Sequence, residues 1–339
     1  MANVVEAATQ QLYSRVKDVA DVSFMSSKVP PIAVISKKQD ILPFISDGKL
    51  ALALPVVAYW VYSMFFHMID SFEVFEQYRI HPSEEVQQRN KASRIEVLKE
   101  VIFQHMIQTS TGLAMLYFDP VPTTGFEKLE MWRWRQTLPS VVPSLFISFM
   151  YRYGWSIIKI FTGFCIVDTW QYWLHRIMHV NKALYKRFHS RHHRLYVPYA
   201  YGALYNSPVE GFLLDTLGTG IAAIVTQLTH TEQVFLYTFA TLKTVDDHCG
   251  YALPLDPFQW LFPNNAVYHD IHHQSFGIKS NFSQPFFTVW DTFCNTKFHG
   301  FEEYEKKQRR VTIDKYKEFL TKRKADNQER LRILKEKSS

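Results

Sequence analysis

Nine of the fourteen histidines fall into four short groups. In chain order they are His175 and His179 in HRIMH, His189, His192 and His193 in HSRHH, His248 in DDHCGY, and His269, His272 and His273 in HDIHH. Side chains three or four residues apart share a helix face with β-carbons about 5–6 Å apart, so imidazoles at that spacing reach one metal ion or two neighbouring ones. All but His248 have such a partner. Since one ion takes about four to six ligands, this set predicts two ions. Imidazole suits zinc, copper, iron and nickel alike, which leaves the metal open. The hydrolytic HExxH pattern is absent. A pair of ions among neutral ligands beside lipid is suited to activating O2 against an unactivated C–H bond. Ligand histidines usually donate their second ring nitrogen to a carboxylate or carbonyl. Asp168, seven residues before His175 and on its helical face, is an expected partner, as are Asp247 and Asp270; Asp168 reads equally well as a buried polar group. The scattered His67, His81, His105, His230 and His299 read as bystanders.

These groups need helices to hold them, and the chain supplies apolar ones. Leu50 to Ile69 is uncharged over twenty residues, about 30 Å of helix, one hydrocarbon core. Residues 71–100 are charged and helical in pattern. Val101 to Phe118 is apolar but carries Gln104, His105 and Gln108, which must face protein if it spans. Leu138 to Met150 and Trp155 to Leu174 form either a short hairpin or an interfacial helix plus a span. Val209 to Leu228 and Val234 to Val245 flank the polar tip Thr229–Glu232 and predict a helical hairpin, with Asp215 and Lys243 facing protein. A hairpin enters and leaves on one face, so all four histidine groups share a side of the membrane. Lys182, Lys186, Arg187, Arg191 and Arg194 put that side in the cytosol. Lys and Arg number 3 in residues 30–49 and 5 in residues 70–100, which leans toward a luminal N-terminus.

The chain has 339 residues and a net charge of +6. Residues 306–339 hold 13 Lys or Arg against 5 Asp or Glu, so the remainder is slightly acidic and offers no face for nucleic acid. A basic helix beside an anionic membrane surface fits this tail. Three cysteines without a CxxC pair exclude a disulfide framework or a cysteine-ligated zinc site. Met1 to Ser46 lacks the pattern of a cleaved signal peptide. The expected fold is an all-α integral membrane protein of four to six membrane-embedded helices under a cytosolic, histidine-rich di-metal cap. Its parts are an N-terminal segment (1–49), the membrane-embedded catalytic domain (50–300) and a basic helical tail (301–339).

HRIMH, HSRHH and HDIHH, in this order and spacing over Asp168 to Thr296, resemble the fatty acid hydroxylase superfamily, a membrane di-iron group. The ending WDTFCNT is similar to that family's usual WDxxFGT, with Cys294 and Asn295 as departures. Within the superfamily, VDTWQYWLHR, YVPYAYGALYNSPVEGFLLDTLGTG, TVDDHCGYALPLDPFQWLFPNNAVYHDIHHQ and RIHPSEEV resemble the sphingoid-base C4-hydroxylases. The resemblance implies that the nine clustered histidines hold two irons, which zinc replaces in some purified preparations. It implies insertion of one oxygen atom from O2 at C4 of sphinganine or dihydroceramide, giving phytosphingosine or phytoceramide. Electrons would come from NAD(P)H through a reductase and a separate cytochrome b5, because His81 and Pro82 are followed by Ser83 and Glu84 and not by the HPGG of a fused one. It also points to association with a ceramide synthase. Thr244 stands where relatives carry a further histidine, so nine ligands are expected. Aromatic stretches Tyr196–Tyr205 and Phe258–Phe262 are candidates for lining the alkyl path, although plain core roles suffice. The ending LKEKSS resembles a dilysine retrieval signal for the endoplasmic reticulum membrane, with the active site and C-terminus cytosolic. The competing expectations are a sterol or fatty acyl oxidase or desaturase of the same fold and, in another class, a membrane metal transporter.

Overall fold

A computed structural model describes residues 21–338 and is almost wholly helical. Met1 to Ala20, part of the segment without a signal-peptide pattern, lie outside the described residues.

The first long helix, α1 (Asp47–Ser71), starts where Ser46 accepts the Lys49 N–H, with Asp47 in the first turn to complement the helix dipole. Helix α2 (Arg94–Phe118) is capped the same way by Ser93. Between them the expected helical run over 71–100 does not form. Glu73 and Phe75 turn the chain in the left-handed region, a short helix covers Ser83–Arg89, and the chain is extended at Asn90 before restarting at Arg94. Pro82 before the short helix and the Ser93 cap after it punctuate this stretch more strongly than its charge pattern predicts.

Helix α3 (Trp155–Val180) corrects another expectation. A short helix, Ser144–Phe149, runs through a π-helical turn, Met150–Gly154, directly into α3. The two apolar runs are therefore one interrupted helix and not a hairpin. A wider turn absorbs Tyr151–Gly154 without ending the hydrogen-bond ladder.

The polar turn between α4 (Pro208–Val225) and α5 (His230–Asp247) forms as expected, but the two helices pack mainly on different partners, α4 on α3 and α5 on α1, and not along each other. Each helix begins with a capping box, Ser207 with Glu210 and Thr229 with Glu232. Helix α5 packs along α1, and α4 carries a π-helical turn at Phe212–Leu217. Helices α1 and α4 are long and apolar enough to cross a membrane. Gln104 and His105 on α2 are buried, facing protein as a span would require, and Lys243 on α5 is buried beside Asp247.

The largest core cluster lies at the histidine end of the bundle. Tyr59 and Phe66 of α1 meet Val97 and Val101 of α2 and the loop residues Leu195, Val197 and Tyr199–Tyr205. Two short antiparallel strands, β1 (Ser36–Lys37) and β2 (Thr123–Thr124), tie the N-terminal segment to the loop after α2. The next residue, Gly125, has φ +100°, and a β-carbon there would collide with the Val34 carbonyl.

Helix α6 (Ala266–His273) carries the last histidine group, and α7 (Phe301–Ser338) docks against it through its first turns. Tyr304 donates to Asp270 at 2.7 Å, and Asp270 lies 3.0 Å from Nε2 of buried His81. Burial opposes the charged imidazole, but the Asp270 and Glu85 carboxylates outweigh it and raise the His81 pKa to about 9. His81 is thus a structural cation and lies in neither of the metal-competent groups below. A pKa raised on folding stabilises most below the unfolded value near 6.5, and that contribution is lost as pH rises through 9. His81→Ala leaves Asp270 buried without its cation and is expected to cost about 3 kcal/mol. A lowered melting temperature at pH 7, with a deficit that shrinks above pH 9, is the expected reading in thermal unfolding.

Candidate metal centre

All nine clustered histidines converge at one end of the bundle, in two buried groups. His175, His179, His189, His193 and His272 form the first, and His192, His248, His269 and His273 the second; within each, the donor atoms lie within 4.8 Å of one another. The i,i+4 pairs 175/179, 189/193 and 269/273 each stay within a group, while His192 and His272 cross to the other one. Each HxxHH string therefore feeds both groups, and His193 and His273 meet across the boundary with ring centroids 5.1 Å apart.

The local structure differs from the α-helix that spacing predicts. His175 and His179 sit on the last turns of α3, His248 caps the end of α5, and His269, His272 and His273 lie on α6. HSRHH instead runs from a π-helical turn, Tyr185–His189, into a 3-10 turn, His192–Arg194. Widening and then tightening the backbone aims His189 and His193 at one group and His192 at the other.

The first group has a geometry that can be tested. Its Nε2 atoms close a four-cornered ring, with 3.1 Å between His175 and His189, 3.0 Å between His189 and His193, 3.1 Å between His193 and His179, and 3.2 Å between His179 and His175. With bonds of about 2.1 Å, ligands at right angles stand about 3.0 Å apart and tetrahedral ones about 3.4 Å. Edges of 3.0–3.2 Å fall in the range that ligands of one ion span. His272 is the fifth donor, its Nε2 buried without a partner. In the second group the Nε2 atoms of His248 and His269 are 3.0 Å apart, and those of His269 and His273 are 3.1 Å apart; the His192 ring lies 4.6 Å from that of His273.

Nδ1 partners settle five of the nine tautomers, while Nδ1 of His193 and of His269 is buried without a partner. His175, His192, His248, His272 and His273 place Nδ1 against the carbonyls of Phe282, Tyr205, Thr244, Ser280 and Leu195 at 2.7–3.2 Å. A carbonyl only accepts, so the proton is on Nδ1 and the Nε2 lone pair is free for a metal. Burial first, and then the neighbouring imidazoles, hold His189, His193, His269 and His273 well below the usual histidine range, while His248 is lowered to about 4, mainly by burial. The rings are therefore neutral near pH 7, the form that binds metal. Convergent lone pairs, an unpartnered Nε2 on His272 and ligand-like spacings all fit the two expected ions.

The expected carboxylate partners are different residues. Asp168 accepts the N–H groups of Phe286 and Phe287 at 3.0 and 2.6 Å, Asp247 pairs with buried Lys243, and Asp270 holds His81 and Tyr304. None of these bonds is to a clustered histidine. The carboxylate that meets one is Glu210, hydrogen-bonded to Nδ1 of His189 and buried with it. Its other oxygen accepts the Ser207 N–H, so one side chain both caps α4 and aims a ring. The SPVE string signals the cap, but nothing in the sequence signals the second bond. Asp291, in the WDTFCNT ending, accepts the N–H groups of Phe282 and Ser283 at 3.0 and 2.7 Å and the Tyr268 hydroxyl at 2.8 Å. It thereby holds the segment whose Phe282 carbonyl orients His175.

Two cavities meet the site. A narrow one of about 20 Å³ touches His189, His192, His248 and His269. A larger one of about 150 Å³ runs between α1, α2, α4 and α5, from Ala51 and Met115 to Thr244. Thr244, Gln171, Asp215 and Pro285 line both. Thr244, one turn before His248, thus stands between the second group and the long cavity. Of the two aromatic stretches expected along such a path, only Leu204 touches the larger cavity. Tyr199, Tyr201 and Tyr205 belong to the core, and Phe258 and Phe262 pack against Phe239.

A fatty acid hydroxylase family model matches residues 160–296, the stretch that contains all nine histidines. The chain is 65% identical to a sphingolipid C4-hydroxylase of Saccharomyces cerevisiae, over 92% of this chain and 89% of that one. The chain belongs to the fatty acid hydroxylase family. This hydroxylase is also 45% identical to a sphingolipid C4-hydroxylase of Schizosaccharomyces pombe, over 77% of its own length and 92% of the relative's. It is 43% identical to a sphinganine C4-monooxygenase of Arabidopsis thaliana, over 74% and 88%. No solved structure matches the hydroxylase.

Proposed function

We propose that this enzyme is a di-iron monooxygenase that hydroxylates C4 of sphinganine, or of the same base in dihydroceramide, to give phytosphingosine or phytoceramide. The observation that carries the reading is the pair of buried histidine groups around a narrow cavity, which shares Gln171, Asp215, Thr244 and Pro285 with a long cavity between apolar helices. Relatives covering most of the chain are named for C4 hydroxylation.

His175, His179, His189, His193 and His272 would hold one iron and His192, His248, His269 and His273 the other. Bound iron supplies O2 activation for placing one oxygen atom in a C–H bond, with two electrons from NAD(P)H through cytochrome b5 reducing the other oxygen atom to water. The chain's own part is placement. Carbonyls and Glu210 fix six of the nine rings, and buried walls exclude water from the reacting carbon. The cavity holds an alkyl chain alongside α1, whose lining residues Ala51 to Tyr59 cover about 12 Å at the usual helical rise.

A membrane setting is supported by the outward apolar side chains Val57, Val61, Phe65, Phe103, Ile157 and Phe161, all exposed. Lys and Arg in residues 182–194 and the basic α7 favour a cytosolic site. Cytochrome b5 and ceramide synthase remain the proposed partners at that face.

Sphingoid-base analysis of cells expressing the chain under 18O2 tests the reaction. One 18O at the C4 hydroxyl is expected. Unlabelled oxygen at C4, or no C4-hydroxylated base above the control lacking the chain, would overturn the reading.

A further inference from the structure

C4 of the substrate is two carbons from its amine-bearing carbon, so whatever holds the amine must lie within a few ångströms of the metals. Three carboxylates line the narrow cavity beside the histidines: Glu210, Asp215 and Asp247. Glu210 is bound to His189 and Asp247 to Lys243. Asp215 also lines the long cavity, and its one polar contact there is with Gln171, whose Nε2 donates to Oδ1 at 3.3 Å. Oδ2 is buried without a partner, as are both ring nitrogens of His105 on α2 and the hydroxyl of Thr216, which line the same cavity. Orphaned polar atoms at one end of an apolar cavity are costly unless a polar ligand joins them. A carboxylate within a membrane-crossing helix calls for a partner of opposite charge. Asp215 also sits in the π-helical turn Phe212–Leu217, a distortion frequent at functional sites.

Building on the function proposed above, we propose that Asp215, steadied by Gln171, binds the ammonium of the free long-chain base and sets C4 against the metals. The enzyme then prefers the free base to its N-acyl form, which carries no positive charge. The hydroxyls beside the amine meet His105 and Thr216, and the alkyl tail runs along α1 toward Ala51.

The test uses the full-length enzyme in lipid nanodiscs with reductase and cytochrome b5. Sphinganine, N-acetylsphinganine and octadecane-1,2,3-triol, in which a hydroxyl replaces the amine, serve as substrates. For the wild type, KM for the triol is expected to be at least about tenfold above that for sphinganine, the scale of a lost charge-assisted bond. In Asp215→Asn, the ratio of kcat/KM for sphinganine to that for N-acetylsphinganine is expected to fall at least about tenfold, mainly through KM, with both metals retained. Equal KM values for triol and sphinganine in the wild type would overturn the proposal, as would an unchanged ratio in a metal-replete Asp215→Asn. If that variant loses its metals, the wild-type triol comparison decides alone. Absence of C4 hydroxylation of every substrate by the wild type would instead sink the functional reading itself.

Discussion

His272→Ala and His192→Ala are each expected to lower C4-hydroxylated base more than about 100-fold, with the loss of about one metal ion per chain. Each residue crosses from its own string to the other group, so removing it opens one site and leaves the neighbouring i,i+4 pair in place. His272 is the sharper case, because its Nε2 is buried with no protein partner while its Nδ1 is held by Ser280 at 2.7 Å. A side chain so fixed, with an Nε2 lone pair converging on four other imidazoles, fits a ligand. Second-sphere changes at metal sites typically cost 10–100-fold, and loss of a direct ligand exceeds that. Chain-by-chain metal analysis beside product measurement checks both parts. Retained metal with full activity in either variant would remove that histidine from the ligand set.

The second large effect is expected at Glu210. Glu210→Ala removes the carboxylate that orients His189 and, at once, half of the capping box that starts α4. Activity should fall by about 10–100-fold through the imidazole, and stability by about 1 kcal/mol through the cap. Glu210→Gln leaves one acceptor oxygen where two are used, so its amide oxygen keeps the His189 bond and its NH2 faces the Ser207 N–H. Without the carboxylate's charge the His189 ring is a weaker donor to metal. A rate between those of wild type and Glu210→Ala, with a melting temperature lowered by the lost cap bond, is the expected outcome, read by steady-state kinetics and thermal unfolding. Equal rates for wild type and Glu210→Ala would show that the Ser207 cap is the only role of this side chain.

What was legible in the sequence follows the range of the physics. Imidazole spacing is a local property, so HRIMH and HDIHH announce their shared faces directly, and the turn into α5 is announced by Thr229 and Glu232. Capping residues and prolines also act locally, which is why the break before Arg94 had a signal, Ser93, that the charge pattern obscured. The remainder depends on contacts between segments far apart in the chain. Asp168 has the right spacing to serve His175 on one helix, yet its oxygens are taken by backbone N–H groups of Phe286 and Phe287, 118 and 119 residues away. Glu210 reaches a histidine 21 residues earlier only because a capping turn points it there. The π-helical turns at Tyr185–His189 and Phe212–Leu217 have no compositional mark, and they decide where His189 and Asp215 sit. Hydropathy placed α1 well, because twenty uncharged residues need no context, but it could not tell that the aromatic loop Tyr199–Tyr205 is core and not a lipid path.

Iron dependence tests the central claim most directly. The full-length enzyme, stripped and reloaded with measured amounts of Fe(II) or Zn(II) in lipid nanodiscs, can be assayed for C4 hydroxylation of sphinganine with its electron donors present. Activity is expected to rise with iron and to saturate at two ions per chain, with zinc filling the same sites without turnover. Full activity in the zinc-loaded or metal-free protein, or saturation at a single iron, would contradict a paired iron centre held by these nine histidines.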